Sequence, residues 1–234
     1  MKTLFFPGWA TSPEIFEPYY RDLQPDSFMA MDFGYFSDRS GIAGLKPTET
    51  AACLPDERCV IVGVSMGSLH ALHAAALFPE RVAGVLIVSG FARFLEDEGY
   101  PAQAKTALET MRAQLAEKPR ALLGGFYRSL AYPSKIYFKV PDTLNLERLD
   151  EGLRLLGELD MRALLTNIGC PVSIVHGGRD KIVSRFCAEF LAERISCANL
   201  TIFDDAGHGV LATHAAECQK LLEDFVGRRP QNPF

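Results

Sequence analysis

Three residues far apart in the chain have the types and the order that acyl-transfer chemistry requires. Gly63-Val64-Ser65-Met66-Gly67 follows the apolar run Cys59-Val60-Ile61-Val62 and precedes a helix-period stretch over 68–77. In that strand–turn–helix setting, G-x-S-x-G makes a turn so tight that side chains at the two glycine positions would meet neighbouring backbone. The strain holds the serine hydroxyl out at the carboxyl end of the sheet. A serine hydroxyl is a poor nucleophile until a base takes its proton, and the base needs an acid to orient it. Asp180 closes the run Val172-Ser173-Ile174-Val175-His176-Gly177-Gly178-Arg179-Asp180. His208 sits in Asp204-Asp205-Ala206-Gly207-His208-Gly209, after the apolar run 200–203. The order Ser65, Asp180, His208 therefore predicts a nucleophile, an orienting acid and a general base.

Other readings of the same residues stay open. Asp180 could be an N-cap for a helix beginning near Ser184. Asp204 or Asp205 could orient His208, although both lie too close along its own loop to approach the ring from behind. His208 could be a surface loop histidine. His176, at a strand end, reads as structural. His70 and His73 share one helix face without a third ligand, so packing is expected rather than a metal. The loop Phe6-Pro7-Gly8-Trp9-Ala10 follows the first strand, so the N–H groups of Trp9 and Met66 are the expected oxyanion donors, helped by the N-terminus of the helix after Ser65. Trp9 is the only tryptophan. Its ring is expected to wall the acyl site, the alternative being simple packing on the loop.

The elements that must position these residues are legible as short apolar runs ending in glycine or small polar clusters: 3–6, 28–31, 59–64, 82–88, 172–176 and 200–203. Such runs fit strands buried on both faces. Helix-period segments over 68–77, 185–194 and 215–226 alternate with them, which predicts βαβ units and an α/β fold with a mostly parallel, doubly wound sheet. From 91 to 168 the alternation stops. Only helix-period stretches appear there (103–115, 120–130 and 146–165), punctuated by Pro101, Pro119, Pro133 and Pro141, so a helical cap is expected within one domain spanning 1–234. The tail 228–234 reads as a frayed terminus.

Composition narrows the function classes. Apolar residues make up 48% and charged residues 23%, with a net charge of −5 that argues against general nucleic-acid binding. Six cysteines without a C-x-x-C pair, no secretory leader, and no apolar run longer than about half a membrane span predict a cytoplasmic protein with reduced thiols. One segment departs from the average: Arg112, Lys118, Arg120, Arg128, Lys135 and Lys139 face a single acid, Glu117, between 112 and 139. That +5 stretch leaves −10 for the rest of the chain and is a candidate docking surface for an acidic carrier; a solvated helix face is the alternative.

Gly63–Gly67, Gly177-Gly178-Arg179-Asp180 and Ala206-Gly207-His208 resemble the signatures of the α/β-hydrolase superfamily, with Asp32-Phe33-Gly34-Tyr35-Phe36-Ser37 resembling the loop after its second strand here. More narrowly, Pro7-Gly8-Trp9, Phe78-Pro79-Glu80-Arg81-Val82 and Leu159-Asp160-Met161-Arg162 before Cys170-Pro171-Val172 resemble the pimeloyl-acyl-carrier-protein methyl ester esterases of biotin synthesis. The resemblance implies an ester hydrolase that needs no cofactor. Its substrate contacts would be Trp9, Ser65, Met66 and His208, together with Phe126, Tyr127, Arg128, Ser129 and Leu130 from the cap segment that lines the family's acyl channel. A short-acyl carboxylesterase, a lactonase, a C–C hydrolase and a non-catalytic binding protein on the same fold are the rivals. Two departures stand out: Pro7-Gly8 replaces the usual His-Gly, and the chain begins almost at the strand carrying this loop, so the family's leading hairpin is expected to be missing.

Overall fold

The computed structural model describes residues 1–36 and 44–226; Ser37 and the tail 228–234 lie outside them. Six strands, β1 (Lys2–Phe6), β2 (Phe28–Ala30), β3 (Cys59–Val64), β4 (Val82–Val88), β5 (Val172–Gly177) and β6 (Ala198–Phe203), form one sheet in the order β2-β1-β3-β4-β5-β6. Every pairing is parallel. All six residues of β3 are buried, which is why the strand reads as a continuous apolar run instead of an alternating one. Side chains nonetheless alternate between two cores. Leu4, Phe6, Ile61, Ile87 and Ile174 join one, and Phe5, Val60, Val62, Leu86, Val88 and Val175 join the other.

Chain direction across the sheet reverses between β1 and β3: β2 lies on one side of β1, and all later strands lie on the other. The loops leaving β1 and β3 therefore diverge onto opposite faces and leave a crevice at their carboxyl ends. Helices cover both faces: the one-turn α1 (Glu17–Tyr20) and α2 (Pro47–Thr50), then α3 (Gly67–Leu77) directly after Ser65. Residues 67–76 of α3 are all buried, as expected for a helix apolar on every side.

Between β4 and β5 lie α4 (Lys105–Glu117), α5 (Pro119–Ala131) and α6 (Leu146–Glu158), followed by a 3-10 turn over Arg162–Asn167. The expected helix 146–165 is thus two elements. Leu159 is extended (ψ 132°), because Asp160 competes for the backbone: its carboxylate accepts the Arg162 N–H while the Met161 N–H donates to Ala92 O. The first helix starts at Lys105 and not at 103, since Gln103 is held outside it by its N–H to Phe94 O and its amide to Ile182 O. Beyond β5, α7 (Arg185–Arg194), α8 (Val210–Thr213) and α9 (Ala215–Val226) complete the chain.

The two ends of this helical segment are tied together. Arg93 Nη1 donates to Asp160 Oδ2 at 2.9 Å, and Arg162 bridges Asp160 to Asp97 at 2.8 Å. Burial works to raise the Asp160 carboxyl, but bonds from Arg162 and Arg93 outweigh it and hold it down to about 2. A depressed carboxylate contributes stability above its unfolded value of about 3.9 that is lost as pH falls toward 2, and solvent screening keeps that contribution modest for an exposed residue. Urea midpoints measured between pH 5 and 2 should accordingly fall more steeply in the natural protein than in Asp160→Asn. Parallel profiles would refute this role.

Candidate active site

Ser65 stands in the turn between β3 and α3 with φ +52°, a left-handed conformation that costs a non-glycine residue about 1–3 kcal/mol. The surroundings impose it. The Ser65 N–H donates to Val88 O on β4 at 2.9 Å, and the Ser65 carbonyl accepts both the Ser68 N–H and the Ser68 hydroxyl. A Cβ at Gly63 would stand 2.7 Å from Gly67 O, and one at Gly67 would run into the Phe6 carbonyl, so the turn can close only with glycine at both places. The β1 loop comes equally near: a Cβ at Gly8 would lie 3.1 Å from Ser65 Cβ.

Asp180 and His208 arrive on the loops after β5 and β6. His208 Nδ1 is 2.7 Å from Asp180 Oδ2, with both side chains almost fully buried. The other carboxylate oxygen accepts the N–H groups of Ile182 (2.7 Å) and Val183 (3.0 Å). Asp180 thus organises its own turn as well as touching the histidine, while the N-cap of α7 is Ser184. Burial works to raise the Asp180 carboxyl, but the charge and hydrogen bond of His208, the nearby His176 and the Val183 N–H overcome it and hold the group below the ordinary carboxylate value. With the Nδ1 proton directed at Asp180, Nε2 is the nitrogen left to accept a proton. Asp205 lies 3.3 Å from His214 instead, and Asp204 is exposed beside Arg185. His176 is buried with Nε2 3.1 Å from Val183 O, and burial lowers its pKa. His70 bonds Thr50 and stacks on Phe6 and Phe33, and burial pushes it down to about 3.

Two cavities meet at Ser65. The larger, about 420 Å³, is lined by Gly8, Trp9, Ser65, Phe126, Tyr127, Leu130 and His208 among others. A second, about 360 Å³, shares Trp9, Ser65 and Phe126 with it and adds Gln103, Met111, Ser129 and Lys181, but not His208. The Trp9 and Phe126 rings meet edge to face at 5.0 Å where the cavities join. Trp9 is held by its indole N–H donating to Leu149 O at 2.9 Å, and Tyr127 by its hydroxyl donating to Ala10 O. A residue that sequence reasoning missed supports this wall: a Cβ at Gly152 would stand 2.7 Å from Trp9 Cδ1. Nothing in the local sequence marks that glycine, because its partner is 143 positions away. Among the described residues, neither the Trp9 nor the Met66 N–H is paired with a backbone carbonyl. One of the expected contacts falls elsewhere: Arg128 is exposed and lines neither cavity. The Met66 side chain is fully buried against Tyr35, so its expected contact is through the backbone N–H.

The sequence profile described as the alpha/beta hydrolase family matches residues 3–219. The chain belongs to the alpha/beta hydrolase family. It is 33% identical over 189 residues to the pimeloyl-[acyl-carrier protein] methyl ester esterase of Aromatoleum aromaticum, covering 74% of this chain and 75% of the relative. To the protein of the same name from Chromobacterium violaceum it is 32% identical over 180 residues, 71% of this chain and 69% of that one. With these relatives, this family member is an esterase. Its fold is that of the Exiguobacterium antarcticum esterase, with a TM-score of 0.85 at 19% identity over 97% of this chain and 92% of that one. Among its described residues, no helix is long and apolar enough to cross a membrane.

Of this hydrolase's basic stretch, three members are already engaged: Arg112 forks onto Asp150 at 2.8 Å, Arg120 donates to Asp142 O, and Lys139 pairs with Asp142 at 3.0 Å. Lys118, Arg128 and Lys135 have no ion-pair partner among the described residues.

Proposed function

We propose that the protein hydrolyses a carboxylic ester through an acyl-enzyme, and that its substrate is the methyl ester of a pimeloyl chain on acyl-carrier protein, in the cytoplasm. The observation that carries the chemistry is the 2.7 Å contact of His208 Nδ1 with Asp180, with Ser65 and His208 lining one cavity. Ser65 Oγ attacks the ester carbonyl while His208 Nε2 takes its proton, and Asp180 stabilises the imidazolium. The oxyanion is received by the Trp9 and Met66 N–H groups. The tetrahedral intermediate collapses as His208 returns the proton to the departing alcohol. His208 then removes a proton from water, which attacks the acyl carbonyl, and returns that proton to Ser65 Oγ as the acyl–oxygen bond breaks and the acid is freed. Because the proton is delivered from His208, the alcohol and the water use the larger cavity and the acyl chain takes the smaller, past Phe126 and Ser129.

The choice of substrate rests on the relatives' names and on charge. Lys118, Arg128 and Lys135 are the members of the basic stretch free to meet an acidic carrier, and such a surface acts chiefly on association. Reversing these three to Glu should raise KM for the carrier-bound methyl ester about tenfold or more at low salt and leave a small p-nitrophenyl ester unaffected. Equal losses on both substrates would mean a damaged helical cap; no loss on either would reduce the stretch to a solvated face. The room beside His208, far more than a methoxy group fills, favours a second reading, a carboxylesterase or lactonase for larger leaving groups. Failure to turn over the carrier-bound ester, with good turnover of bulky-alcohol esters, would select it.

A further inference from the structure

Ser89 directly follows β4, is completely buried, and has φ +50°. An L-residue in that region costs about 1–2 kcal/mol, so something must hold a serine there. Its environment supplies the reason. The Ser89 N–H donates to Val175 O on β5 at 2.8 Å, the strand that leads to Asp180. The preceding carbonyl, of Val88, accepts the Ser65 N–H. The Ser89 hydroxyl donates to the His208 carbonyl at 2.9 Å, across 119 positions of chain. Ser89 thus ties β5 to the His208 loop, and its neighbour Val88 holds the Ser65 turn.

We propose that Ser89 is a positioning residue for His208, through the bond from its hydroxyl to the His208 carbonyl. The inference rests on the reading of Ser65 and His208 as nucleophile and base. Asp180 fixes the ring at Nδ1, and the neighbouring Gly209 N–H is held by Leu130 O on the helical cap. Two residues earlier the loop is held by the Arg179 N–H, which donates to Ala206 O at 2.8 Å. The Ser89 hydroxyl is the bond made to the His208 carbonyl itself, from the residue that follows β4. Without it a buried carbonyl loses its donor, and the His208 backbone can shift relative to Ser65. Misplacing a proton-transfer group by about 1 Å costs on the order of a hundredfold in rate.

Two variants separate the hydroxyl from the backbone conformation. Ser89→Ala removes the hydroxyl and keeps the cost of positive φ; Ser89→Gly removes the hydroxyl and relieves that cost. Both are expected to lower kcat about ten- to a hundredfold with KM within about twofold, while Ser89→Gly unfolds at a higher temperature than Ser89→Ala. The two properties then move apart, which a purely structural role would not produce. Full kcat in Ser89→Gly would overturn the proposal, as would a loss confined to KM. Should Ser89→Ala fail to fold, Ser89→Gly decides alone. Labelling of the natural protein with a fluorophosphonate is run in parallel. Attachment at Ser65 leaves the kcat result to bear on Ser89 by itself, and no attachment overturns the underlying reading together with this one.

Discussion

Replacing Ser65 with alanine should lower kcat by about 10⁴-fold or more while leaving the fold intact. The hydroxyl makes no bond on which the turn depends: the turn is closed by the Ser65 N–H to Val88, by the Ser65 carbonyl to Ser68, and by the close approaches at Gly63 and Gly67. Alanine tolerates φ +52° no better than serine, so the strain stays the same. Thermal unfolding of Ser65→Ala is therefore expected to follow that of the natural protein closely. A serine-directed fluorophosphonate should add its mass at Ser65 in the natural chain and nowhere in the variant. Labelling at another serine, or activity within tenfold of the natural enzyme in Ser65→Ala, would sink the assignment. Absence of both labelling and turnover in the natural protein would instead favour a non-catalytic binding role for the fold.

The second large effect is expected at Asp180. In Asp180→Asn the shape is kept, and the carbonyl oxygen of the amide can still accept the Ile182 and Val183 N–H groups. The side that faces His208 then presents an NH2 group where a carboxylate accepted the Nδ1 proton. The imidazole is driven to the wrong tautomer and the imidazolium loses its counter-charge, which should cost about 10⁴-fold in kcat. Asp205→Asn makes the comparison decisive. That side chain is largely exposed beside His214, and its loss should change kcat by no more than about twofold, in line with weak surface ion pairs. If Asp205→Asn were the more damaging change, the acid would be misassigned. Reading kcat and KM for both variants on one small ester is sufficient.

These two variants probe residues that the sequence could nominate but not bring together. The elbow is local: two glycines around a serine, after a buried apolar run and before a helix, decide a turn from neighbouring residues alone. Strand positions were legible for the same reason, since a strand buried on both faces has to be apolar along its whole length. The course of 146–165 was not legible, because helical periodicity continues through Asp160. What breaks the helix there is the pull of Arg93, 67 positions earlier, and of the Ala92 carbonyl. The basic stretch shows a similar limit. Its +5 balance is a property of composition, yet Arg112 is neutralised by Asp150 on another helix, and no count of charges along the chain reveals that.

The sequence by itself determined the alternation of buried strands and helices, the strained turn at Ser65, and the order in which a serine, an acid and a histidine reach the same edge of a parallel sheet. Each of these follows from short-range sterics or from the solvent preference of neighbouring side chains. Only the tertiary structure decided which acid meets His208, that Trp9 and Phe126 stand between two cavities, that Gly152 makes room for the indole, and that Ser89 holds the histidine loop. Those contacts join residues 28 to 143 positions apart. They depend on distances of a few tenths of an ångström, set by how the strands stack and how the loops close over them, and the identities of nearby residues carry no record of such distances.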